Sequence, residues 1–257
     1  MDSPSPARVY DALLGGSHNF EVDRLAAANG TRLVPDLPIS AAANRRFLRR
    51  SVTYLANAGI RQFVDIGAGI PTVGNTHEIV QEIDPEGRVV YVDIDAVAVA
   101  HARVILAGNE NAIVVQGDFR APEALLGDLR DTGLLDLDQP VALLMVALLH
   151  LIPDEQGPAP ATAALRDAVA PGSHLVISHL TSERRPEETA RLSSEVAQRD
   201  RISLVFRPRE DIAAFFGDFT LVDPGLVQLS DWRPDPAEQE AGPTGSSLYY
   251  AGVGRKD

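Results

Sequence analysis

The sequence predicts an α/β domain built on a seven-stranded, mostly parallel sheet with helices on both faces. From residue 61 onward, short runs rich in β-branched residues alternate with helical stretches, an order typical of parallel sheets. One run, 141–147, is apolar at every position, as expected of a strand buried on both faces. The length of 257 residues suits one large α/β domain better than two independent ones.

Residues 1–58 precede this alternation and are predicted as an N-terminal helical cap. A first helix begins at Pro6 and stops at Gly15-Gly16, and a second runs over 39–58 with Gly59 as its C-terminal cap. Residues 59–257 form the predicted core, in one compact domain with the cap. The core strands are predicted at 62–66, 88–93, 112–116, 141–147, 174–178, 219–229 and 248–253. The core helices are predicted at 72–83, 96–107, 122–129 and 158–169, with a helical insertion at 181–209 and a surface loop at 234–246.

The composition disfavours several partners and chemistries. With 36 acidic and 23 basic residues, the formal charge is −13, which repels nucleic acid and anionic membranes. There is no cysteine, and the only lysine is Lys256, so thiolate chemistry and a P-loop or Schiff-base lysine are excluded. No histidine pair has the spacing of a metal site, so no metal is predicted. No run is long enough to span a bilayer and no signal peptide is recognisable, so we expect a cytoplasmic protein.

Three successive predicted strands end in residues suited to ligand binding, at the edge where parallel sheets bind ligands. The first ends in Asp65 and the turn Gly67-Ala68-Gly69, which lets backbone N–H groups approach a ligand. Asp93 ends the second, where a carboxylate can accept hydrogen bonds from both hydroxyls of a ribose. Asp118 and Phe119 follow the third, offering an acceptor for an adenine amino group and a ring to stack on adenine.

Each of these features alone is better explained as a turn glycine or a strand-end cap, but the ordered set predicts a nucleoside pocket. A dinucleotide pocket is disfavoured. Its fingerprint requires Gly or Ala at the position where this chain has Thr72.

These motifs resemble those of class I S-adenosylmethionine-dependent methyltransferases. The resemblance rests on 65–69, Asp93, 117–119, 146–154 and 170–178. More narrowly, the whole chain resembles an actinobacterial S-adenosyl methyltransferase family that was formerly classed as a domain of unknown function. The marks of that family are 7–20 with Asp23-Arg24, the turn 67–72 with Asn75 and His77, and 232–235. The resemblance implies a Rossmann-like fold and S-adenosylmethionine as cofactor, with S-adenosylhomocysteine as product, and it implies no acceptor.

The resemblance also implies roles for individual residues. Asp65, Gly67 and Gly69 would hold the methionine end of the cofactor, and Asp93 would hold its ribose. Ile94, Asp118 and Phe119 would hold the adenine, and Ala147 and Leu148 would line the sulfonium. Ala68 and Thr72 complete the implied cofactor-binding set.

The predicted cap carries polar residues that a buried helical stripe does not explain. They are Tyr10, Asp11, Asn19, Asp23 and Arg24, joined by Asn44 and Arg45 early in the second helix. Our hypothesis is that this segment folds over the cofactor and builds the acceptor pocket, with Tyr10 as a candidate catalytic residue. A capped helix with a solvated loop explains the same residues equally well.

His150 is a second candidate catalytic residue, because it follows the fourth strand at the point where the methyl group would be presented. A neutral imidazole there can accept the proton of an acceptor. A structural, hydrogen-bonding histidine is the alternative.

Three functions remain open from the sequence. The first is methyl transfer by in-line attack to the O or N of a small molecule, in a monomer or homodimer with no nucleic-acid partner. An acidic, mostly apolar pocket would suit a cationic or an aromatic acceptor. The second is a module that binds S-adenosylmethionine or S-adenosylhomocysteine and regulates a partner without catalysis. The third, an NAD-dependent oxidoreductase, is disfavoured by Thr72 and by the lack of a Tyr-x-x-x-Lys pair.

Overall fold

The computed structural model describes residues 3–70, 74–236, 238 and 248–257. Thr72 and most of the predicted loop at 234–246 therefore lie outside the described residues. The helices are α1 Pro6–Leu13, α2 Glu21–Leu33, α3 Leu37–Asn57, α4 Thr76–Ile83, α5 Ala96–Ile105, α6 Pro122–Asp131, α7 Pro158–Asp167, α8 Pro186–Asp200 and α9 Arg209–Ala214. The strands are β1 Gln62–Ile66, β2 Arg88–Asp93, β3 Ala112–Gln116, β4 Ala142–Val146, β5 His174–Leu180, β6 Thr220–Leu221, β7 Val227–Gln228 and β8 Tyr249–Arg255.

One sheet runs through the domain in the order β3-β2-β1-β4-β5-β8-β6. The first five strands pair in parallel, and β8 is antiparallel to β5 and β6. A further short strand, β7, pairs with β8 off this path. The carboxyl ends of β1 to β4 consequently meet at one edge, where a parallel sheet binds ligands.

The sheet has eight strands among the described residues, one more than the sequence predicts. The stretch 219–229, predicted as a single strand, forms two strands of two residues, β6 and β7. The chain turns between β6 and β7 at Gly225, whose φ of +88° lies in the left-handed region that favours glycine and interrupts the extended strand.

Two apolar layers cover the two faces of the sheet. On one face, Phe47 and Leu55 of α3 pack with Val80 of α4 and with Trp232. On the other face, Leu125 of α6 and Leu165 of α7 pack with Phe216. These side chains are almost completely buried, so the sheet is rigid beneath its ligand-binding edge.

The first 57 residues contain three helices, of which the sequence predicts only α1 and α3. The missed helix, α2, buries Ala26, Ala27 and Gly30, and these small residues give a weak apolar stripe. It packs on α8, the helix of the predicted insertion. Within the described ranges, no helix is both long and apolar enough to cross a bilayer.

Candidate functional site

A cavity of about 400 Å³ lies at the carboxyl ends of β1 to β4, beneath α1, α2 and α8. This volume is in the range of small-molecule sites. Most of the residues singled out in the sequence lie on its wall: Tyr10, Asp11, Asn44, Arg45, Asp65, Gly67, Ala68, Gly69, Asp93, Ile94, Asp118, Phe119, Ala147, Leu148 and His150. Asn19, Asp23 and Arg24 are not among the lining residues.

The turn after β1 is fastened to the end of β2. The backbone N–H groups of Gly67 and Ala68 donate to the Val92 carbonyl over 2.8 and 3.1 Å. Gly67 has a φ of +71°, and a Cβ there would lie 2.6 Å from Leu148 Cδ1. A side chain at this position would therefore fill the space between the turn and the loop after β4.

Asp93 links the glycine turn to α5. Its Oδ2 accepts from the Gly69 N–H over 2.7 Å, and its Oδ1 accepts from the Asp95 N–H over 2.8 Å. Each oxygen keeps a second lone pair for a ligand. Burial raises the pKa of Asp93 above its ordinary value, although the backbone hydrogen bonds lower it in part.

Asp65, at the end of β1, is a buried carboxylate on the cavity wall. Its Oδ2 accepts from the Thr76 hydroxyl over 2.6 Å. Burial raises the pKa of Asp65 to about 6, against the lowering effects of Thr76 and of the positive charge on Arg45. Arg45 donates to the Gly74 carbonyl over 3.1 Å. Because its charge acts on Asp65 and both residues line the cavity, two opposite charges lie at the same end of the cavity.

Asp118 is engaged by Arg120, a residue that the sequence analysis did not single out. Arg120 donates to both carboxylate oxygens, and its shortest contact, from Nη2 to Oδ2, is 2.7 Å. These hydrogen bonds lower the pKa of Asp118, so it is a carboxylate at neutral pH. Arg120 also donates to Gln156 Oε1 over 3.0 Å. Buried Phe119 packs below this pair and reaches the cavity.

Residues 5–20, which we call the strap, comprise α1 and the turn that follows it, and they roof this part of the cavity. Arg8 joins the strap to two carboxylates, with Nε 2.8 Å from Asp23 Oδ2 and Nη1 3.1 Å from Asp95 Oδ2. Asp23 is completely buried and also accepts from the Ser5 and Phe20 N–H groups. The strap is therefore tied both to α2 and to the N-terminus of α5.

Asn19 and Arg24 support the turn of the strap. The Asn19 amide donates to Asp11 Oδ2 and to the Gly16 carbonyl, both over 2.8 Å, and Arg24 donates to Asn19. Gly16 is required here, because a Cβ on it would lie 2.1 Å from Asp11 Oδ1.

A chain of hydrogen bonds connects the strap to the end of β4. The Tyr10 hydroxyl donates to the Ala41 carbonyl over 3.0 Å and accepts from the Asn44 amide over 2.9 Å. The Ser178 hydroxyl donates to Asn44 Oδ1 over 2.6 Å and accepts from the Ala147 N–H over 2.9 Å. Burial raises the pKa of Tyr10, so its hydroxyl stays protonated and fully engaged.

Ala147 has a φ of +58°, in a region that residues with a Cβ rarely adopt. Such strain persists only when neighbouring contacts enforce it, and it is concentrated at functional sites. Ser178 holds Ala147 in this conformation, because both its hydroxyl and its carbonyl accept from the Ala147 N–H.

His150 lies in a short 3₁₀ helix, Leu149–Leu151, directly after Ala147 and Leu148. Its ring stands edge-on to His179 and to Tyr249, with centroid distances of 5.6 and 5.7 Å. Burial, with the nearby His179 and Arg207, lowers the pKa of His150 well below its ordinary value. The imidazole is therefore neutral at pH 7.

Arg207 fixes the segment that carries His150. It is buried and donates to the carbonyls of Leu149 and Ile152 over 3.0 and 2.9 Å and to Asp154 over 2.6 Å. No sequence signal indicates this role, because Arg207 stands in an arginine-rich stretch that looks solvated. Ser178 and Tyr249 were missed as well, since both lie inside predicted strands.

Within the parts of the chain that the structure describes, no group of three or more His, Asp or Glu residues is arranged to hold a metal ion.

The comparisons with known proteins agree with this geometry. A family model described as S-adenosyl methyltransferase matches residues 1–257. The crystal structure of a candidate methyltransferase from Thermobifida fusca YX is 41% identical with a TM-score of 0.92, over 99% of this chain and 96% of that chain. A DUF574 family protein from Streptomyces avermitilis MA-4680 is 36% identical with a TM-score of 0.94, over 100% of this chain and 98% of that chain.

A more distant structure shares the fold. The N-methyltransferase NodS from Bradyrhizobium japonicum WM9, in complex with S-adenosyl-L-homocysteine, is 14% identical with a TM-score of 0.51, over 97% of this chain and 98% of that chain. At this identity, the likeness shows the fold alone. No curated protein matches the chain. The predicted fold class, a Rossmann-like α/β fold of the class I methyltransferase type, is confirmed.

Proposed function

The chain belongs to the S-adenosyl methyltransferase family and is an S-adenosylmethionine-dependent enzyme; we propose that it methylates O or N of a small molecule by in-line attack. The observation that carries this proposal is the continuous cavity, which joins the motif residues at the strand ends to the space under α2 and α8. Cofactor and acceptor can meet in such a cavity away from water.

The residues on the wall fit the chemical groups of the cofactor. Asp65 and Arg45 offer opposite charges to the ammonium and carboxylate of its methionine end, and Asp93 has lone pairs for the ribose hydroxyls. Because Gly67 has no Cβ, the space between the glycine turn and Leu148 stays open for the cofactor.

At the other end, Ile94 and Phe119 offer apolar faces to the adenine, and Asp118 offers a carboxylate to its amino group. Asp118 can still accept this hydrogen bond while paired with Arg120, because a carboxylate has about four lone-pair sites.

When bound, S-adenosylmethionine supplies a methyl group that its sulfonium charge already activates. The protein therefore needs no nucleophile of its own. Its residues orient the reactants and exclude water, which lowers the entropic part of the barrier. In this proposal, Ala147 and Leu148 line the sulfonium, and their position is set by the hydrogen-bond chain through Ser178.

We also propose that residues 1–58 complete the acceptor site while 59–257 hold the cofactor, within one domain. We propose a small-molecule substrate in the cytoplasm, and the formal charge of −13 disfavours a nucleic acid as the alternative. The protein would act as a monomer or a homodimer.

Calorimetric titration with S-adenosylmethionine and S-adenosylhomocysteine tests the cofactor site. We expect a Kd of micromolar order for the wild type, and a loss of at least about 100-fold in Asp93→Ala, which removes the ribose acceptor. Asp138→Ala is the matched control, because Asp138 is exposed in the loop before β4. NAD is the control ligand. If folded wild-type protein binds neither adenosyl ligand, or if Asp93→Ala binds them unchanged, the assignment is wrong.

Ser178→Ala tests the proposed positioning chain. We expect kcat to fall about tenfold, because the lost hydrogen bond no longer enforces the backbone of Ala147, which is equivalent to about 1.4 kcal/mol. The Kd of S-adenosylhomocysteine should stay within about twofold, since Ser178 does not line the cavity. Ser194→Ala, at an exposed serine of α8, is the control. Equal losses in kcat and in cofactor affinity would indicate a general structural role instead.

A further inference from the structure

The end of the cavity away from the cofactor residues is walled by aliphatic side chains. We call this part the acceptor chamber; it is lined by Ala27, Gly30, Leu37, Leu192, Ile202 and Leu204. A Cβ on Gly30 would lie 3.1 Å from Leu37 and 3.8 Å from Leu192, so α2, α3 and α8 converge here. Leu37 and Leu204 line the same cavity as Ala147, so the chamber is continuous with the end of β4.

The carboxylate oxygens on the walls next to the chamber are either hydrogen-bonded or enclosed by protein. Asp200 accepts two hydrogen bonds from Arg199, over 2.9 and 2.7 Å. Asp11 Oδ2 accepts from His18 and Asn19, and its Oδ1 is enclosed against Gly16 with no hydrogen-bond partner among the described residues. A cationic acceptor would therefore lose its hydration in the chamber without reaching an unpaired, accessible carboxylate oxygen, which is costly.

Two polar aromatic residues, His150 and Tyr249, line the cavity where the chamber meets the end of β4. Nδ1 of His150 is enclosed by protein with no hydrogen-bond partner among the described residues, so Nε2 is the ring nitrogen that a ligand would meet. Tyr249, whose ring contacts that of His150, also lines the cavity. Burial raises the pKa of Tyr249, so its hydroxyl is a donor rather than a base.

We propose that the chamber binds an uncharged, lipophilic acceptor whose nucleophile is a hydroxyl group, with its O–H donating to Nε2 of His150. The inference rests on the proposed function, of which it names the substrate class. The acidic composition of the chain would also suit a cationic acceptor, and the chamber walls favour the uncharged acceptor instead.

Atoms and charges balance in this reaction. A lone pair of the acceptor oxygen forms the new C–O bond, and the electrons of the broken C–S bond return to sulfur, leaving a neutral thioether. The hydroxyl proton passes to Nε2 of His150 and from there to water on product release. Because the positive charge leaves sulfur as it arrives on the imidazole, the net charge of the buried site does not change during transfer.

Three probes of one size and different charge test the chamber in wild-type protein saturated with S-adenosylhomocysteine. They are 1-naphthol, 1-naphthylmethylamine and 1-naphthoate, which are neutral, cationic and anionic at pH 7. We expect 1-naphthol to bind at least about tenfold more tightly than either ion, since an unpaired buried charge costs several kcal/mol. Equal or tighter binding of either ion, or no binding of any probe, overturns the proposal.

A pair of variants on one helix locates the probe. Ala27→Phe fills the chamber, whereas Ala28→Phe adds the same bulk to the exposed face of α2. We expect a loss of at least about tenfold in 1-naphthol affinity for Ala27→Phe only, with S-adenosylhomocysteine binding retained in both. Ala27→Leu is the milder substitution if Ala27→Phe does not fold. Unchanged 1-naphthol affinity in the chamber variant overturns the location.

His150→Phe tests the hydroxyl contact, because it keeps an aromatic side chain and removes both ring nitrogens. Transfer of labelled methyl from S-adenosylmethionine to 1-naphthol should fall at least about 100-fold in kcat, as for loss of an acid–base group. The Kd of 1-naphthol should change by less than about tenfold, since loss of a single hydrogen bond is worth at most ~1.5 kcal/mol. Retained kcat overturns the role of His150.

The failure of the proposed function and the failure of the chamber proposal give different results. If folded wild-type protein does not bind S-adenosylhomocysteine, the proposed function itself fails. If it binds S-adenosylhomocysteine but does not prefer 1-naphthol over the charged probes, only the chamber proposal fails.

Discussion

Asp65→Asn is expected to stabilise the fold and, at the same time, to weaken cofactor binding. The pKa of Asp65 is raised to about 6 from an ordinary value of 3.8, because the carboxylate is buried at the end of β1. The folded protein therefore disfavours the ionised form of Asp65, which is the form that the proposed cofactor site uses at neutral pH.

The sign and size of the stability effect follow from this shift. A carboxyl group with a raised folded-state pKa holds its proton more strongly when folded, so the fold loses stability as the pH rises from about 4 to about 6. A shift of roughly two units corresponds to about 3 kcal/mol at pH 7. The asparagine side chain carries no charge and still accepts from Thr76, so Asp65→Asn should recover up to about 3 kcal/mol of unfolding free energy.

The binding effect has the opposite sign. In the proposed site, the variant would lose a charge-assisted hydrogen bond to the cofactor ammonium, which is worth about 1.5–3 kcal/mol, or roughly 10- to 100-fold in the Kd of S-adenosylhomocysteine. Urea unfolding at pH 4 and pH 7, with titration of the product, measures both effects. The difference in unfolding free energy between Asp65→Asn and the wild type should be large at pH 7 and nearly absent at pH 4. Asp138→Asn, at an exposed site, should change neither quantity. A stability gain that is the same at both pH values would contradict the pKa argument.

The sequence predicts the ligand-binding edge of the fold well because local signals coincide there. The bounds predicted for β1, β2 and β3 agree with the structure, since each strand is a short apolar run ended by Gly or Asp. The ordered strand ends then place Asp65, Asp93 and Asp118 together, because parallel strands align their carboxyl ends.

What the sequence does not predict depends on contacts between distant residues. Tyr10 is identified as a candidate catalytic residue from its polar surroundings, but its hydroxyl is engaged by Ala41 and Asn44, more than 30 positions away. Asn44 in turn reaches Ser178 across 134 positions. No periodicity or motif encodes such pairs, since they form only once the helices pack over the sheet.

The ion pairs of Arg8 also join residues that are distant in the sequence. Breaking them is expected to have the second large effect, a loss of stability. Arg8 is buried between Asp23, which is fully buried, and Asp95, which caps α5. Replacing Arg8 by Met keeps the length of the side chain but leaves the Asp23 carboxylate without its counter-ion. Loss of one partner of a buried pair costs about 3–5 kcal/mol, and we expect this loss in the unfolding free energy of Arg8→Met.

The same variant should also release bound product faster, because α1 forms the roof of the proposed cofactor end of the cavity. Ser5, Ala7 and Tyr10 line the cavity from α1 and its N-terminal cap, and a Cβ on Gly69 would lie 3.7 Å from Ala7. Stopped-flow displacement should therefore show faster dissociation of S-adenosylhomocysteine from Arg8→Met. Arg49→Met, at an exposed arginine of α3, is the matched control and should leave the rate unchanged.

A double variant separates the charge effect from simple loss of packing. In Arg8→Met/Asp23→Asn the uncompensated carboxylate is removed as well, while the amide oxygen of the new side chain can still accept from the Ser5 or Phe20 N–H group. If the buried charge causes the instability, the double variant should recover most of the unfolding free energy lost in Arg8→Met, because an unpaired buried charge is costlier than a neutral polar group. If the double variant is as unstable as Arg8→Met, Arg8 holds the strap by packing, and the ion pair is not what secures the roof of the site.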